Sequence, residues 1–268
     1  MRYFLHIAYS GTNYRGWQMQ KGGVISVQEV IEKNLSQVFK KPVFVIGCGR
    51  TDAQVHASQY FLHFQLEDDW DFDLVFRLNK MLPPDISVFD VIPVGPKHHA
   101  RFGATKRTYD YFIHTYKDPF LRNISTLYTE FKLDVKEMAK AVALLTSYED
   151  YHAFCKTPNA HSSTLCLISN AELFSNESED RIRFQITSNR FLRGMIRIIV
   201  GKLLLIGSGK MTVAEFEEFL ISKITPSEFD VAHPQGLFLS EIQYPFLNIP
   251  PKTSFSAFQQ NGEWIKIK

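Results

Sequence analysis

Apolar and polar residues alternate over residues 2–9, 43–47, 59–66, 107–116, 123–131, 182–188 and 237–244, the period of two that a half-buried strand requires. The clearest run is QYFLHFQL, in which Tyr60, Leu62, Phe64 and Leu66 share one face. A second period, with apolar residues every three to four positions, marks helices. Ser26 and Glu29 form a capping box ahead of Val27, Val30, Ile31, Leu35 and Val38. Asp134 with Glu137 repeats the device before Val135, Met138, Ala139, Val142 and Leu145, and Thr212 with Glu215 opens a shorter helix. The stretch from Arg190 to Ile206 is a fourth helical candidate, apolar on most sides and therefore expected to be buried.

The order of these elements repeats. RYFLHIAYSG leads into the first helix and a strand pair, and TYDYFIHTY leads into a further strand, the second helix and another pair. The pattern predicts an α+β fold of two similar α/β subdomains, residues 1–105 and 106–268, whose antiparallel sheets merge into one extended sheet flanking a central cleft. Such a cleft is a common place for a ligand.

The bulk numbers narrow the class. The chain has 268 residues, 45% hydrophobic, 22% charged and 14% aromatic, with 23 Phe, which suits a soluble globular protein with an aromatic interior or binding surface. Cys48, Cys155 and Cys166 are odd in number and widely spaced, which fits a reducing cytoplasm better than a disulfide framework. No signal-peptide pattern opens the chain, and no window approaches the ~18 consecutive apolar residues of a membrane span. A soluble, cytoplasmic protein is expected. The paired spacings of a zinc site are missing, as are the P-loop, the Rossmann glycines and the serine-hydrolase elbow. Metal, ATP and NAD dependence are therefore not expected.

A net charge of +2 says little until the cations are placed. Residues 97–107 hold Lys97, Arg101, Lys106 and Arg107 without an acid, beside His98 and His99. Arg190, Arg193 and Arg197 are spaced i, i+3 and i+7, which puts them on one face if the segment is helical. Phe102, Tyr109, Tyr111 and Phe191 lie close by, and cations beside aromatic platforms suit RNA with unstacked bases. A solvated arginine face and packed tyrosines are the plainer alternatives. EDDWDFD, residues 67–73, carries five acids and favours a helix N-terminus through the macrodipole.

GCGRTDAQVHA, residues 47–57, leaves a strand and sets Arg50 and Asp52 two apart. In extended backbone both side chains point the same way, so Arg50 could hold an Asp52 carboxylate ready as a nucleophile. An ordinary turn with Asp52 capping backbone N–H groups fits the spacing alone better.

This stretch resembles the GRTDAGVHA signature of tRNA pseudouridine synthases of the TruA type. Further segments are similar to that family in the same order: AYSGTNYRGWQMQ (8–20), LNKMLPPDISV (78–88), HARFGATKRTYDY (99–111), NRFLRGMIRIIVG (189–201) and GLFL (236–239). The resemblance implies the pseudouridine synthase fold and isomerisation of uridine to pseudouridine in the tRNA anticodon stem-loop, at positions 38, 39 and 40. It also implies a homodimer that works without cofactor or metal. By position in the motifs it implies that Asp52 is catalytic, that Tyr109 stacks on the target base, that Arg197 pairs with the carboxylate, and that Leu237 lines the pocket. Arg50 would occupy or support the flipped-nucleotide site, and the clusters with Arg101, Arg107, Arg190 and Arg193 would meet RNA phosphates. Asp52 would attack the uracil ring or the ribose anomeric carbon, or abstract a ribose proton.

Three positions depart from the family pattern: Gln54 for Gly, Ile198 for Asn and Gly103 for Ser. A glycine at 54 would serve a positive φ or a close approach of RNA. Gln54 leaves as an alternative a related tRNA-binding protein with altered or lost catalysis. An unrelated aspartate-nucleophile enzyme for small molecules is a further class.

Overall fold

The structure is a computed structural model and describes residues 1–129, 132–252 and 264–267. The chain divides into two compact units, Met1–Arg107 with Phe238–Ser256, and Thr108–Leu237 with Ala257–Lys268. Both are α+β, with mostly antiparallel strands, as the alternating periods predict.

The first unit contains β1 (Arg2–Tyr9), α1 (Val27–Phe39), β2 (Ile46–Gly47), β3 (His56–Gln65), α2 (Leu74–Met81) and β4 (Ile86–Val94). Strand β1 lies between β3 and β4 and runs antiparallel to both. On its other side β3 pairs antiparallel with β2, and parallel with the returning strand β9 (Leu237–Gln243) through His56↔Phe238 and Ala57↔Leu239. The expected apolar face of β3 is present: Phe64 packs on Phe39 of α1, and Tyr60 stacks on Trp17 at 4.2 Å. Its opposite face is buried as well. Phe61 meets Tyr244 edge-on at 5.4 Å, because residues that follow β9 return to cover that side, and it stacks at 4.8 Å on His6, its partner across the β1–β3 pair. A strand covered on both faces needs apolar residues at successive positions, and β3 has them.

The helices begin where their caps predict. Ser26 accepts from the Glu29 N–H at the start of α1, whose buried stripe is Val27, Ile31 and Leu35. Asp73, the last acid of the 67–73 run, caps α2 through the Phe76 N–H at 2.9 Å.

In the second unit β5 (Lys106–His114) is followed by β6 (Thr126–Leu127), α3 (Val135–Leu144), β7 (Ile168–Ser175), β8 (Arg181–Ser188), α4 (Met195–Gly207), α5 (Val213–Ser222) and β10 (Ile265–Lys266). The strand order is β10-β7-β8-β5, with β6 parallel to β5. Ile182, Phe184 and Ile186 are buried, whereas the alternate side chains of β8 are half-exposed. Asp134 caps α3, and Thr212 with Glu215 forms a complete capping box on α5.

Three expectations are corrected. The run 43–47 contributes only two strand residues, and 123–131 only Thr126–Leu127, its residues 130 and 131 lying outside the described residues. The helix expected from Arg190 starts at Met195. Gly194, at φ +75°, turns the chain just before it, so Arg190 and Arg193 precede the helix and only Arg197 lies on it. The i, i+3, i+7 spacing therefore does not make a helical stripe.

Candidate functional site

Asp52 stands at the first position of a tight turn in the first unit. Its carbonyl accepts from the Val55 N–H at 3.2 Å, and the Gln54 N–H donates to the Tyr14 carbonyl at 3.1 Å. Gln54 has φ +64°, a left-handed conformation that glycine adopts without steric penalty. Of the two reasons considered for a glycine at 54, the positive φ is present in the backbone. Gln54 adopts it nonetheless, and its side chain is exposed.

Residues 10–17 clamp this turn. A Cβ on Gly11 would come within 2.1 Å of the Val55 carbonyl oxygen, and one on Gly16 within 2.5 Å of the Thr51 carbonyl oxygen. Real Cβ contacts are not so short, so only glycine lets the two backbones touch here. The clamp is completed by polar contacts. The Trp17 N–H donates to the Thr51 carbonyl at 3.2 Å, the Tyr9 and Thr51 hydroxyls are 2.8 Å apart, and the Gly11 N–H donates to His56 Nδ1 at 3.0 Å. His56 in turn stacks on Phe238 at 4.4 Å. Thr51 is buried, Asp52 half-buried and Arg50 exposed. The carboxylate is thus held at the edge of the core by backbone contacts on both sides of it.

Three of the expected arginines gather next to this turn. Arg107 donates through Nη2 to the carbonyls of Cys48 and Arg101, each at 2.9 Å. Arg50 and Arg101 line one pocket of about 180 Å³. The Arg101 segment is anchored from below: the Ala100 N–H donates to His63 Nδ1 at 3.2 Å, and the Tyr244 hydroxyl donates to the Ala100 carbonyl at 2.6 Å. Burial and the nearby His99 and Arg2 lower the His63 pKa to about 4, so its ring is the neutral acceptor this bond needs. Cys48 is fully buried, and burial raises its thiol to about 11, which leaves it unreactive at neutral pH. Phe102, 77% exposed, presents its ring under the Arg101 guanidinium at 5.6 Å.

In the second unit Tyr109 is half-exposed on β5, with its ring edge-on to Phe191 at 5.1 Å. Arg197 donates through Nε to the Ala232 carbonyl at 2.7 Å, and the Ala232 N–H returns to the Arg197 carbonyl at 3.0 Å. Beside it the Tyr111 hydroxyl bonds the His233 carbonyl at 2.7 Å and lies 2.9 Å from the Thr126 hydroxyl. Burial pushes the Tyr111 and Tyr128 phenols up, and the Arg197 guanidinium offsets part of that rise. Leu237 is buried and begins β9 after a turn at Pro234–Gly236, where a Cβ on Gly236 would meet the Phe112 carbonyl oxygen at 2.6 Å. Arg190 is half-exposed and Arg193 exposed on the segment before α4.

Among the described residues no three His, Cys, Asp or Glu side chains gather in a group able to hold a metal ion, and no helix is long and apolar enough to cross a membrane. The residues that residue-by-residue reasoning did not single out are Gly11, Gly16 and Trp17. Their signal was the GTNYRGWQ segment, whose two glycines have no role until the 51–55 backbone is seen against them.

An aspartate turn braced in an α+β unit, with arginines around it, is an arrangement fit for work on a polyanion. A sequence model described as tRNA pseudouridine synthase matches residues 141–245 of the chain. Over almost its full length the chain is also similar to curated proteins named tRNA pseudouridine synthase A. The protein of Bacteroides thetaiotaomicron is 44% identical over 91% of this chain and 91% of its own length. That of Bacteroides fragilis is 42% identical over 91% and 96%, and that of Exiguobacterium sibiricum 36% identical over 91% and 97%. The chain belongs to the tRNA pseudouridine synthase A family, a family of isomerases.

Proposed function

We propose that this protein converts uridine to pseudouridine in the anticodon stem-loop of tRNA, at positions 38, 39 and 40, with Asp52 as the nucleophile. The observation that carries the assignment of Asp52 is the clamped turn: a half-buried carboxylate whose backbone is fixed by Gly11, Gly16 and Trp17. Fixing a reacting group before the substrate arrives removes much of the entropic part of a barrier. The activity itself is supported by the names of the relatives.

In the reaction the bond between ribose C1′ and uracil N1 breaks, the ring turns, and C1′ bonds to C5. The C5 proton leaves to solvent, and N1 gains a proton. The target base must leave its stack for this to happen. In this reading the Asp52 carboxylate bonds to C1′ as N1 leaves and is displaced when C5 bonds there. By the family resemblance Tyr109 is assigned to stacking on the base, Leu237 to limiting its movement, and Arg197 and Arg50 to balancing the carboxylate. Arg101, Arg107, Arg190 and Arg193 neutralise phosphates, so affinity falls with salt. The protein works as a cytoplasmic homodimer and needs no cofactor. The left-handed Gln54 favours retained catalysis, since the turn takes the shape a glycine would give it.

Release of tritium from C5-labelled uridine in unmodified tRNA transcripts tests the assignment. Wild-type protein releases it, and Asp52→Asn lowers the rate on the order of a thousandfold or more, as loss of a nucleophile does. Normal turnover by a folded Asp52→Asn protein removes Asp52 from that role.

A further inference from the structure

Next to the Asp52 turn, the pocket of about 180 Å³ has walls to which the chemistry above gives no contact with substrate. Besides Arg50 and Arg101 these include Trp17, Gln18, Gln28 and Gly47. Drug-sized sites begin near ~300 Å³, so this pocket fits one ring system and no more. Trp17 forms a fixed wall. It stacks on Tyr60, whose hydroxyl donates to the Gly49 carbonyl at 2.6 Å.

The polar wall has a fixed direction. Glu32 is 8% exposed, and its Oε1 accepts from the Val45 N–H and from the Gln28 amide nitrogen, both at 2.9 Å. A carboxylate only accepts here, and a backbone N–H only donates, so the Gln28 amide nitrogen must face Glu32. The Gln28 oxygen then faces the other way. It accepts from the Met19 N–H at 3.1 Å and from the Gln18 amide nitrogen at 2.7 Å. The Gln18 nitrogen is therefore engaged, and its Oε1 has no hydrogen-bond partner among the described residues. A chain of fixed donors and acceptors, starting from a buried acid, leaves one oriented acceptor on Gln18, which lines the pocket together with Arg50 and Arg101.

We propose that this pocket is a subsite for a nucleotide flanking the target uridine. Gln18 Oε1 accepts an N–H from the edge of its base, Trp17 bounds the ring, and Arg101 holds its phosphate. A nucleotide supplies in one small unit the donor edge and the anion that these walls ask for. The inference rests on the tRNA reading above and assigns to that substrate a second point of recognition, away from the reacting base.

The test is an equilibrium binding titration by fluorescence anisotropy. It uses Asp52→Asn protein, so that turnover plays no part, and anticodon stem-loop RNAs in which each nucleotide flanking the target is replaced in turn by an abasic residue. One flanking abasic position is expected to weaken binding about tenfold, the size of a hydrogen bond and its buried contacts. Gln18→Met, which keeps length and volume but removes the acceptor, is expected to weaken binding of intact RNA by a similar factor. The two losses together are expected to equal either one alone, the mark of a shared interaction. Additive losses at every position overturn the subsite, as does a folded Gln18→Met protein with unchanged affinity. The abasic series on protein with native Gln18 stands without that variant, and equal binding of every RNA in it also overturns the proposal. Tritium release by the wild-type protein, measured separately, decides the parent reading, so the two can fail independently.

Discussion

The turn at 52–55 and the segment at 189–194 each carry residues expected to meet RNA, and each bends through a left-handed residue. They are braced by different means. At the turn, backbone lies against backbone, with Gly16 facing Thr51 and Gly11 facing Val55. At Gly194 the nearest neighbour is a side chain: a Cβ there would come first against the methylene stem of Lys156, at 3.1–3.2 Å. Further hold comes from the Lys156 N–H to the Arg193 carbonyl at 3.2 Å and from buried Leu192. A backbone clamp yields only if one of the two backbone segments shifts, whereas a lysine stem can swing aside. In the proposed reading the first segment keeps a carboxylate still and the second presents cations.

Glycine replacement separates the two most sharply. Gly16→Ala sets a Cβ against the Thr51 carbonyl at φ +91° and is expected to lower stability by roughly 3 kcal/mol, combining left-handed strain with overpacking. Gly194→Ala carries the strain and a contact that the lysine stem relieves by moving aside, and is expected to lower stability by about 1 kcal/mol. Urea unfolding of both variants measures the difference. Equal losses would mean that the loop backbone relaxes around Gly16 and that the clamp is not rigid.

The same contrast explains what could be read from sequence. Caps are local, so Ser26, Asp134 and Thr212 placed three helices correctly, and the acids at 67–73 pointed to the Asp73 cap without revealing the short α2 behind it. Strand β4 was missed because it is half-exposed along most of its length and holds Pro93. Strand β7 was missed because its exposure lacks clean alternation, and its pairing with β8 is a fact about its neighbour. Periodicity alone misplaced the start of α4. The arginine spacing is helical, but nothing in the spacing reports that Gly194 breaks the path before Met195. The Asp52 turn was legible as a motif, while its brace was not, because Gly11 and Gly16 act on residues about 40 positions away.

Arginine removal probes the cation-presenting segment. Arg193→Ala is expected to leave stability within about 0.5 kcal/mol, since the side chain is exposed. It is expected to reduce the slope of log affinity for tRNA against log salt by about 1, the effect of one lost phosphate contact. Arg190→Ala, half-exposed, is expected to do the same with a slightly larger loss of stability. Affinity measured at several salt concentrations gives the slopes. Unchanged slopes for both would remove this segment from the RNA-binding surface and leave the Arg50, Arg101 and Arg107 group to bind phosphate.

The smallest effect tests the turn itself. Gln54 holds φ +64° without the freedom of glycine, a strain of about 1 kcal/mol for a residue with a Cβ. Gln54→Gly removes that strain but gives the unfolded chain more freedom, which offsets about 0.4–1 kcal/mol of the gain. The expected outcome is a melting temperature that is unchanged or up to about 2 °C higher. Pseudouridine formation should be retained or raised, because the turn keeps its shape. If melting is unchanged and turnover rises severalfold, the glutamine side chain, which is exposed two residues from Asp52, was obstructing the RNA. If turnover falls tenfold, that side chain contributes to binding the substrate, and the departure from glycine is an adaptation to this protein's tRNA.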